Sequence, residues 1–175
     1  HLSVGFRPID VTFSSNGEQA FVITEAGVSV IAFDEATGPA FAPPIALGDG
    51  VTGALSRDVS ITSDGLYALA RREDESALRL IDLRDGTLTS LVTTSPVTDL
   101  DLAPNGEFAI AVLRAESAVL RIPIPGGFVD PLIVVRTELP DAAVGSVSIS
   151  PDGSVAVLYT TLEGIEQATL VDLEG

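Results

Sequence analysis

The sequence predicts an all-β chain built from four copies of one blade-like repeat. An Asx-Gly pair recurs as Asn16-Gly17, Asp64-Gly65, Asn105-Gly106 and Asp152-Gly153, with glycine spacings of 48, 41 and 47, and apolar residues alternate at fixed offsets around each pair. Intervals of about 40 to 50 residues suit a four-stranded β-propeller blade, whereas helical solenoid repeats are mostly shorter. The expected fold is a β-propeller, either a closed four-bladed ring or part of a larger ring of about six to eight blades.

The first strand of each repeat is read from the residues six and four positions before the glycine: Val11 and Phe13, Val59 and Ile61, Leu100 and Leu102, Val147 and Ile149. Such alternation marks a strand. Three positions after the glycine stands an alanine, Ala20, Ala68, Ala109 or Ala156, within apolar runs such as Ala20-Phe21-Val22-Ile23. Strands apolar on both faces must be covered on both faces, which a blade sandwiched between blades achieves. The Asx-Gly pair is expected to supply the positive φ angles of a tight hairpin between strands one and two.

Third strands are expected at 28–34, 77–83, 118–124 and 167–173, ending in the related triplets Ala32-Phe33-Asp34, Leu80-Ile81-Asp82 and Leu170-Val171-Asp172. The third copy has Arg121-Ile122-Pro123 instead, and Pro123 weakens ladder pairing there. Outer strands are expected at 41–47, 87–93 and 131–137, with Pro43 and Pro44 suiting a sheet edge. The whole chain, 1–175, reads as a single propeller domain with blades at about 6–48, 55–93, 96–137 and 143–175, and with residues 1–5 supplying an outer strand to the last blade. A start at His1 and the lack of methionine point to a processed protein or an excised segment, which favours the partial array.

Composition narrows the function classes. Nine arginines and no lysine stand against 25 acidic residues, for a net charge of -16. Such a surface repels phosphate backbones and anionic lipid, so nucleic acid is not an expected partner. With 46% hydrophobic residues the chain is not disordered, and it has no apolar run long enough for membrane insertion. The absence of cysteine removes disulfides and thiolate metal sites.

Segments 146–153 (Ser-Val-Ser-Ile-Ser-Pro-Asp-Gly) and 99–106 (Asp-Leu-Asp-Leu-Ala-Pro-Asn-Gly) resemble the "SPDG" strand and turn of bacterial WD40-like, PD40 and YVTN-type β-propeller repeats. Leu80-Ile81-Asp82-Leu83 and Ala32-Phe33-Asp34, followed by Gly86 or Gly38, resemble the "V-x-D-x-x-T-G" part of the same repeat. The resemblance covers nearly the whole chain. It implies the fold and, by analogy with extracellular bacterial repeat domains, a secreted, periplasmic or cell-surface protein. It does not imply an activity, because this superfold carries lactonases, dehydrogenases, adhesins and passive scaffolds. The eukaryotic WD40 signature is absent, since the chain has no Trp and its single histidine is His1.

Seven positions before the glycines stand Asp10, Asp58, Asp99 and Ser146. Carboxylates lining a central channel could hold Ca²⁺ or Mg²⁺ through oxygen ligands, while the structural alternative is that each accepts amide hydrogen bonds in its own or the adjacent blade. Arg71-Arg72-Glu73-Asp74-Glu75 reads as a solvated hairpin tip, and the acidic stretches 34–35, 82–85 and 163–166 lack EF-hand spacing. A His-based triad, a nucleophile elbow, a Walker loop and an HExxH segment are all missing. The expected function is a non-enzymatic scaffold that binds a protein partner or associates with itself, with no catalytic residues and no required cofactor. A hydrolytic, lactonase-like propeller with a divalent metal at Asp10, Asp58 and Asp99 is the alternative.

Overall fold

A computed structural model describes residues 7–24, 27–47, 57–139, 144–164 and 166–173. His1 and the outer strand expected from residues 1–5 lie outside them. The first sheet runs β1 (Pro8–Phe13), β2 (Gln19–Thr24), β3 (Gly27–Asp34) and β4 (Gly38–Phe41) in chain order, and β5 (Ile45–Ala46) also pairs with β3. The second runs β6 (Arg57–Ile61), β7 (Tyr67–Arg72), β8 (Ala77–Asp82) and β9 (Leu88–Val92). The third runs β10 (Asp99–Leu102), β11 (Phe108–Leu113), β12 (Ala118–Pro123) and β13 (Val135–Glu138). The fourth holds β14 (Ser146–Ile149), β15 (Val155–Tyr159) and β16 (Thr169–Asp172). Apart from β5, each sheet is thus a meander of sequential neighbours, the connectivity of a propeller blade. The chain divides into two compact units, His1–Ala70 with Arg79–Thr89, and Arg71–Leu78 with Ser90–Gly175.

The four Asx-Gly turns share one geometry that differs in a detail from the expected hairpin. Only the glycines adopt positive φ, at 73°, 72°, 74° and 78° for Gly17, Gly65, Gly106 and Gly153. Their amides donate to the carbonyls of Ser14, Thr62, Ala103 and Ser150 at 2.8–2.9 Å. The Asx residue keeps negative φ and acts through its side chain, because Oδ1 of Asn16, Asp64, Asn105 and Asp152 accepts the amide two residues on at 2.9–3.1 Å. A four-residue loop closed by a left-handed glycine therefore replaces the two-residue turn, and the Asx oxygen does what a second positive φ would have done.

Within the first unit, Phe21 and Val28 of the first sheet pack on Ala68, Ala70, Ile81 and Leu83 of the second, with Val59 and Ile61 alongside. Within the second unit, Phe108, Ile110, Val112 and Val119 of the third sheet pack on Val147, Ala156 and Leu158 of the fourth. The same two faces meet in both cases. The face bearing the residues six and four before the turn glycine, here called the leading face, lies against the opposite, trailing face of the preceding sheet. The repeated alanines are all buried, at 0–3% exposure, where small side chains let the sheets approach.

The outer strand expected at 41–47 is instead two short strands, β4 and β5, with Pro43 and Pro44 between them, and three further expectations need correction. The first triplet, Ala32-Phe33-Asp34, does not align with the others by ladder register. Phe33, Leu83, Ile124 and Leu173 make the same bond to the strand-two entry, at Glu18, Leu66, Glu107 and Ser154. In that frame Val30-Ile31-Ala32 matches Leu80-Ile81-Asp82, and Asp34 lies two residues beyond Asp82. The first blade's third strand is longer by those two residues, and the Asp-to-Gly turn shifts with it. An even shift preserves the faces, so packing tolerates it. Second, Pro131 does not begin an outer strand: Pro131–Ile133 is a 3-10 turn whose Leu132 amide donates to the Asp130 side chain, and β13 starts at Val135. Third, Arg71 and Arg72 belong to β7 rather than to a loop, and the Arg71 guanidinium donates to the Val97 carbonyl at 3.1 Å.

Candidate interaction surface

The inner strands place the predicted acids in unequal settings. Asp10 lies exposed on β1 and accepts the Val11 amide at 2.8 Å, while Asp58 lies exposed on β6. Asp99 is half-buried on β10. Its Oδ1 accepts the Leu100 amide at 3.0 Å and its Oδ2 accepts the Val147 amide at 2.9 Å. Asp101 repeats the arrangement one rung on, with Oδ1 on the Leu102 amide at 2.9 Å and Oδ2 on the Ile149 amide at 2.7 Å.

These contacts have a local cause. The first strand of each blade is a sheet edge, so its outward amides lack a ladder partner and must find another acceptor. β10 supplies its own carboxylates. β14 carries Ser146 and Ser148 at the matching positions, and the second oxygens of Asp99 and Asp101 cap its amides instead. Asp99 thus accepts backbone amides in its own and the adjacent blade. Asp101 has no sequence signal, because the matching residues are Thr12, Ser60 and Ser148 and nothing acidic repeats. Among the described residues, no group of three or more His, Cys, Asp or Glu is arranged to hold a metal ion.

A second feature is a surface rather than a cluster. On the leading face of the first blade, Ile9, Val11 and Phe13 of β1 are 61%, 50% and 61% exposed, and Phe33 and Phe41 continue the stripe. The Phe13 and Phe33 rings stack, with centroids 6.4 Å apart and planes inclined by 21°. Beneath them Ala20, Val22 and Ile31 form a small buried cluster of their own. At the position of Val11, the fourth blade has Val147, which is 6% exposed because the third blade covers it. The trailing face of the fourth blade is open as well, since Tyr159 and Leu170 are 39% and 72% exposed. In the third blade the residues that match Tyr159 and Val157, namely Val112 and Ile110, are buried.

Polar groups beside these faces serve structure. Arg136 pairs with Glu116 and Glu138 at 2.6 Å each, and Thr94 donates to Glu116 at 2.9 Å, which fastens β13 to the connection before β10. Arg121 stacks its guanidinium over Phe108, 4.0 Å from the ring centroid, beside a cleft of about 350 Å³ shared with Val171 and Asp172.

Solved structures share this architecture. The chain resembles the Myceliophteria thermophila Cps50 (Swd1) β-propeller domain at a TM-score of 0.64 and 20% identity, covering 97% of this chain and 53% of that one. The fold is a β-propeller. Kuenenia stuttgartiensis hydrazine synthase matches at a TM-score of 0.63 and 20% identity, over 95% of this chain and 46% of that one. The dihydro-heme d1 dehydrogenase NirN, in complex with DHE, matches at a TM-score of 0.64 and 18% identity, over 95% and 35%. The chain therefore spans about half the length, or less, of the solved structures that it matches. No protein-family model and no curated protein sequence matches it.

Proposed function

We propose that this chain is a non-catalytic propeller that works by protein–protein contact, with the leading face of its first blade as a docking surface. One observation carries the reading: Ile9, Val11, Phe13 and Phe33 form an exposed apolar stripe at positions whose counterparts in the fourth blade are covered by a neighbouring sheet. A contiguous exposed patch with paired aromatic rings is the usual mark of an interaction site. The net charge of -16 supports a protein partner over nucleic acid. The resemblance of its turns to those of bacterial PD40 and YVTN-type repeats supports a place in the cell envelope or outside the cell.

Hydroxyl-radical footprinting tests the reading. Phe13 and Phe33 are expected to oxidise readily in the dilute purified chain and to be protected in the native assembly. Equal oxidation in both states would overturn it.

A further inference from the structure

Two of the four Asx-Gly turns carry Asn before the glycine and two carry Asp, and the residue two places on changes with them. Glu18 and Glu107 follow the asparagines, Leu66 and Ser154 the aspartates. Nδ2 of Asn16 donates to Glu18 at 2.8 Å, and Nδ2 of Asn105 donates to Glu107 at 2.9 Å. In the first, second and fourth turns a hydroxyl adds a further tie. Ser14, Thr62 and Ser150 each donate to the Asx Oδ1 at 2.6 Å and accept the amide that opens the second strand at 3.0 Å, which fastens the side chain to the sheet. Ala103 stands at that place in the third turn and has no hydroxyl. The Ser15 amide also donates to the Ser63 carbonyl at 2.8 Å, where Pro104 has no amide to give. We propose that Asn105 is a site of spontaneous deamidation, and that Ser14 protects Asn16 from the same reaction.

Glycine carries no Cβ, so an amide nitrogen that follows asparagine is open to the asparagine side chain. The Gly106 nitrogen gives up its proton and adds to Cγ of Asn105, closing a five-membered succinimide. The Cγ–Nδ2 bond breaks, and that nitrogen takes up a proton and leaves as ammonia. Water then opens the ring. Cleavage of the new N–Cγ bond gives aspartate, and cleavage at the backbone carbonyl gives isoaspartate, with one water consumed, one ammonia released and no change of oxidation state. In the resting turns Gly106 donates to the Ala103 carbonyl at 2.8 Å and Gly17 to the Ser14 carbonyl at 2.9 Å, so at both sites the attack waits on a local opening. The glycine φ values, 74° and 73°, and the bonds to glutamate match as well, which leaves the anchoring of the turn as the difference. Either product damages the third turn. Aspartate sets a second carboxylate against Glu107, a clash that Leu66 and Ser154 avoid beside Asp64 and Asp152. Isoaspartate lengthens the backbone of the loop by one carbon. The turn joins β10 to β11, so the damage falls on the strand whose Asp99 and Asp101 hold the Val147 and Ile149 amides.

Storage of the folded 175-residue chain at mildly alkaline pH, followed by peptide mass mapping and enzymatic labelling of isoaspartate, tests this. With each rate taken relative to the same site in chain unfolded by urea, Asn105 is expected to convert about fivefold faster than Asn16, the effect of roughly one hydrogen bond. Ala103→Ser is expected to slow Asn105 to the rate of Asn16, and Ser14→Ala to raise Asn16 towards the rate of Asn105, with circular dichroism checking the fold of each. The comparison of the two sites within the unaltered chain needs no variant, so it decides the matter even where a serine at the buried position 103 prevents folding. Equal relative rates in the folded chain, a faster Asn16, or an Asn105 that stays intact over the time in which the unfolded chain reacts would each overturn the proposal. So would a folded Ser14→Ala chain in which Asn16 stays as slow as before.

Discussion

Asp99 holds the Val147 amide at 2.9 Å while its other oxygen holds the Leu100 amide at 3.0 Å, so one carboxylate ties the edge strands of two consecutive blades. Removing it leaves two edge amides without an acceptor in a half-buried setting. Asp99→Ala is expected to lower stability by about 1–3 kcal/mol, read as a lower urea midpoint with an unchanged slope. Hydrogen exchange at Val147 should accelerate with it. Asp10→Ala, which strips a single exposed amide, is expected to change stability by about 0.5 kcal/mol or less.

The turn glycines separate conformational strain from crowding. Gly17 and Gly65 have nearly the same φ, 73° and 72°, yet a Cβ at Gly17 meets nothing within 4 Å, while one at Gly65 falls 2.6 Å from Cζ of the buried Phe21 ring. Gly17→Ala is expected to cost about 1–2 kcal/mol, from the left-handed backbone alone. Gly65→Ala should cost a further 1–3 kcal/mol or so, because the core must also yield. Equal losses in thermal melts would contradict the packing of Phe21 under the second turn.

Acid should loosen the fourth turn late. The Ser150 hydroxyl, then the Ser154 amide and hydroxyl, hold the exposed Asp152 carboxyl down at about 2, against an ordinary 3.8. A depressed folded value means that the contribution of the carboxylate is complete above the unfolded value and fades as pH falls through the folded one. The expected window is therefore between about pH 4 and pH 2. Asp34, held low by the Thr37 and Ala36 amides, shifts in the same direction. An NMR titration of the Asp152 side chain checks the value, and Asp152→Asn should flatten its share of the acid limb.

Calcium is expected to leave the melting temperature unchanged. Both oxygens of Asp99 already accept backbone amides, so a cation would have to compete with bonds that close a blade junction. A calcium-dependent rise in melting temperature that disappears in Asp58→Asn would instead establish the metal reading of Asp10, Asp58 and Asp99.

Much of the blade is local and was therefore legible. The left-handed glycine, the Asx oxygen over the following amides and the period-two apolar pattern are properties of a few adjacent residues, and they hold at Gly17, Gly65, Gly106 and Gly153 alike. The misreadings arise where ladder partners decide. Asp34 and Asp82 look equivalent by motif, but the first blade reaches its turn two residues later because β3 pairs further along β4. Arg71 looks like a loop charge, yet the reach of its guanidinium to Val97 allows it to sit within a strand.

The sequence by itself determined the repeat, the turns and the two-faced apolar strands, because backbone sterics and side-chain alternation act over a few residues. It could not distinguish Val11 from Val147, which occupy the same place in the same pattern. Only the tertiary structure decided that one is covered and the other bare, and that Asp99 and Asp101 serve amides 48 residues away. Burial and the capping of an edge strand depend on what lies alongside, and in a repeat whose units are nearly alike that is set by the packing of whole sheets.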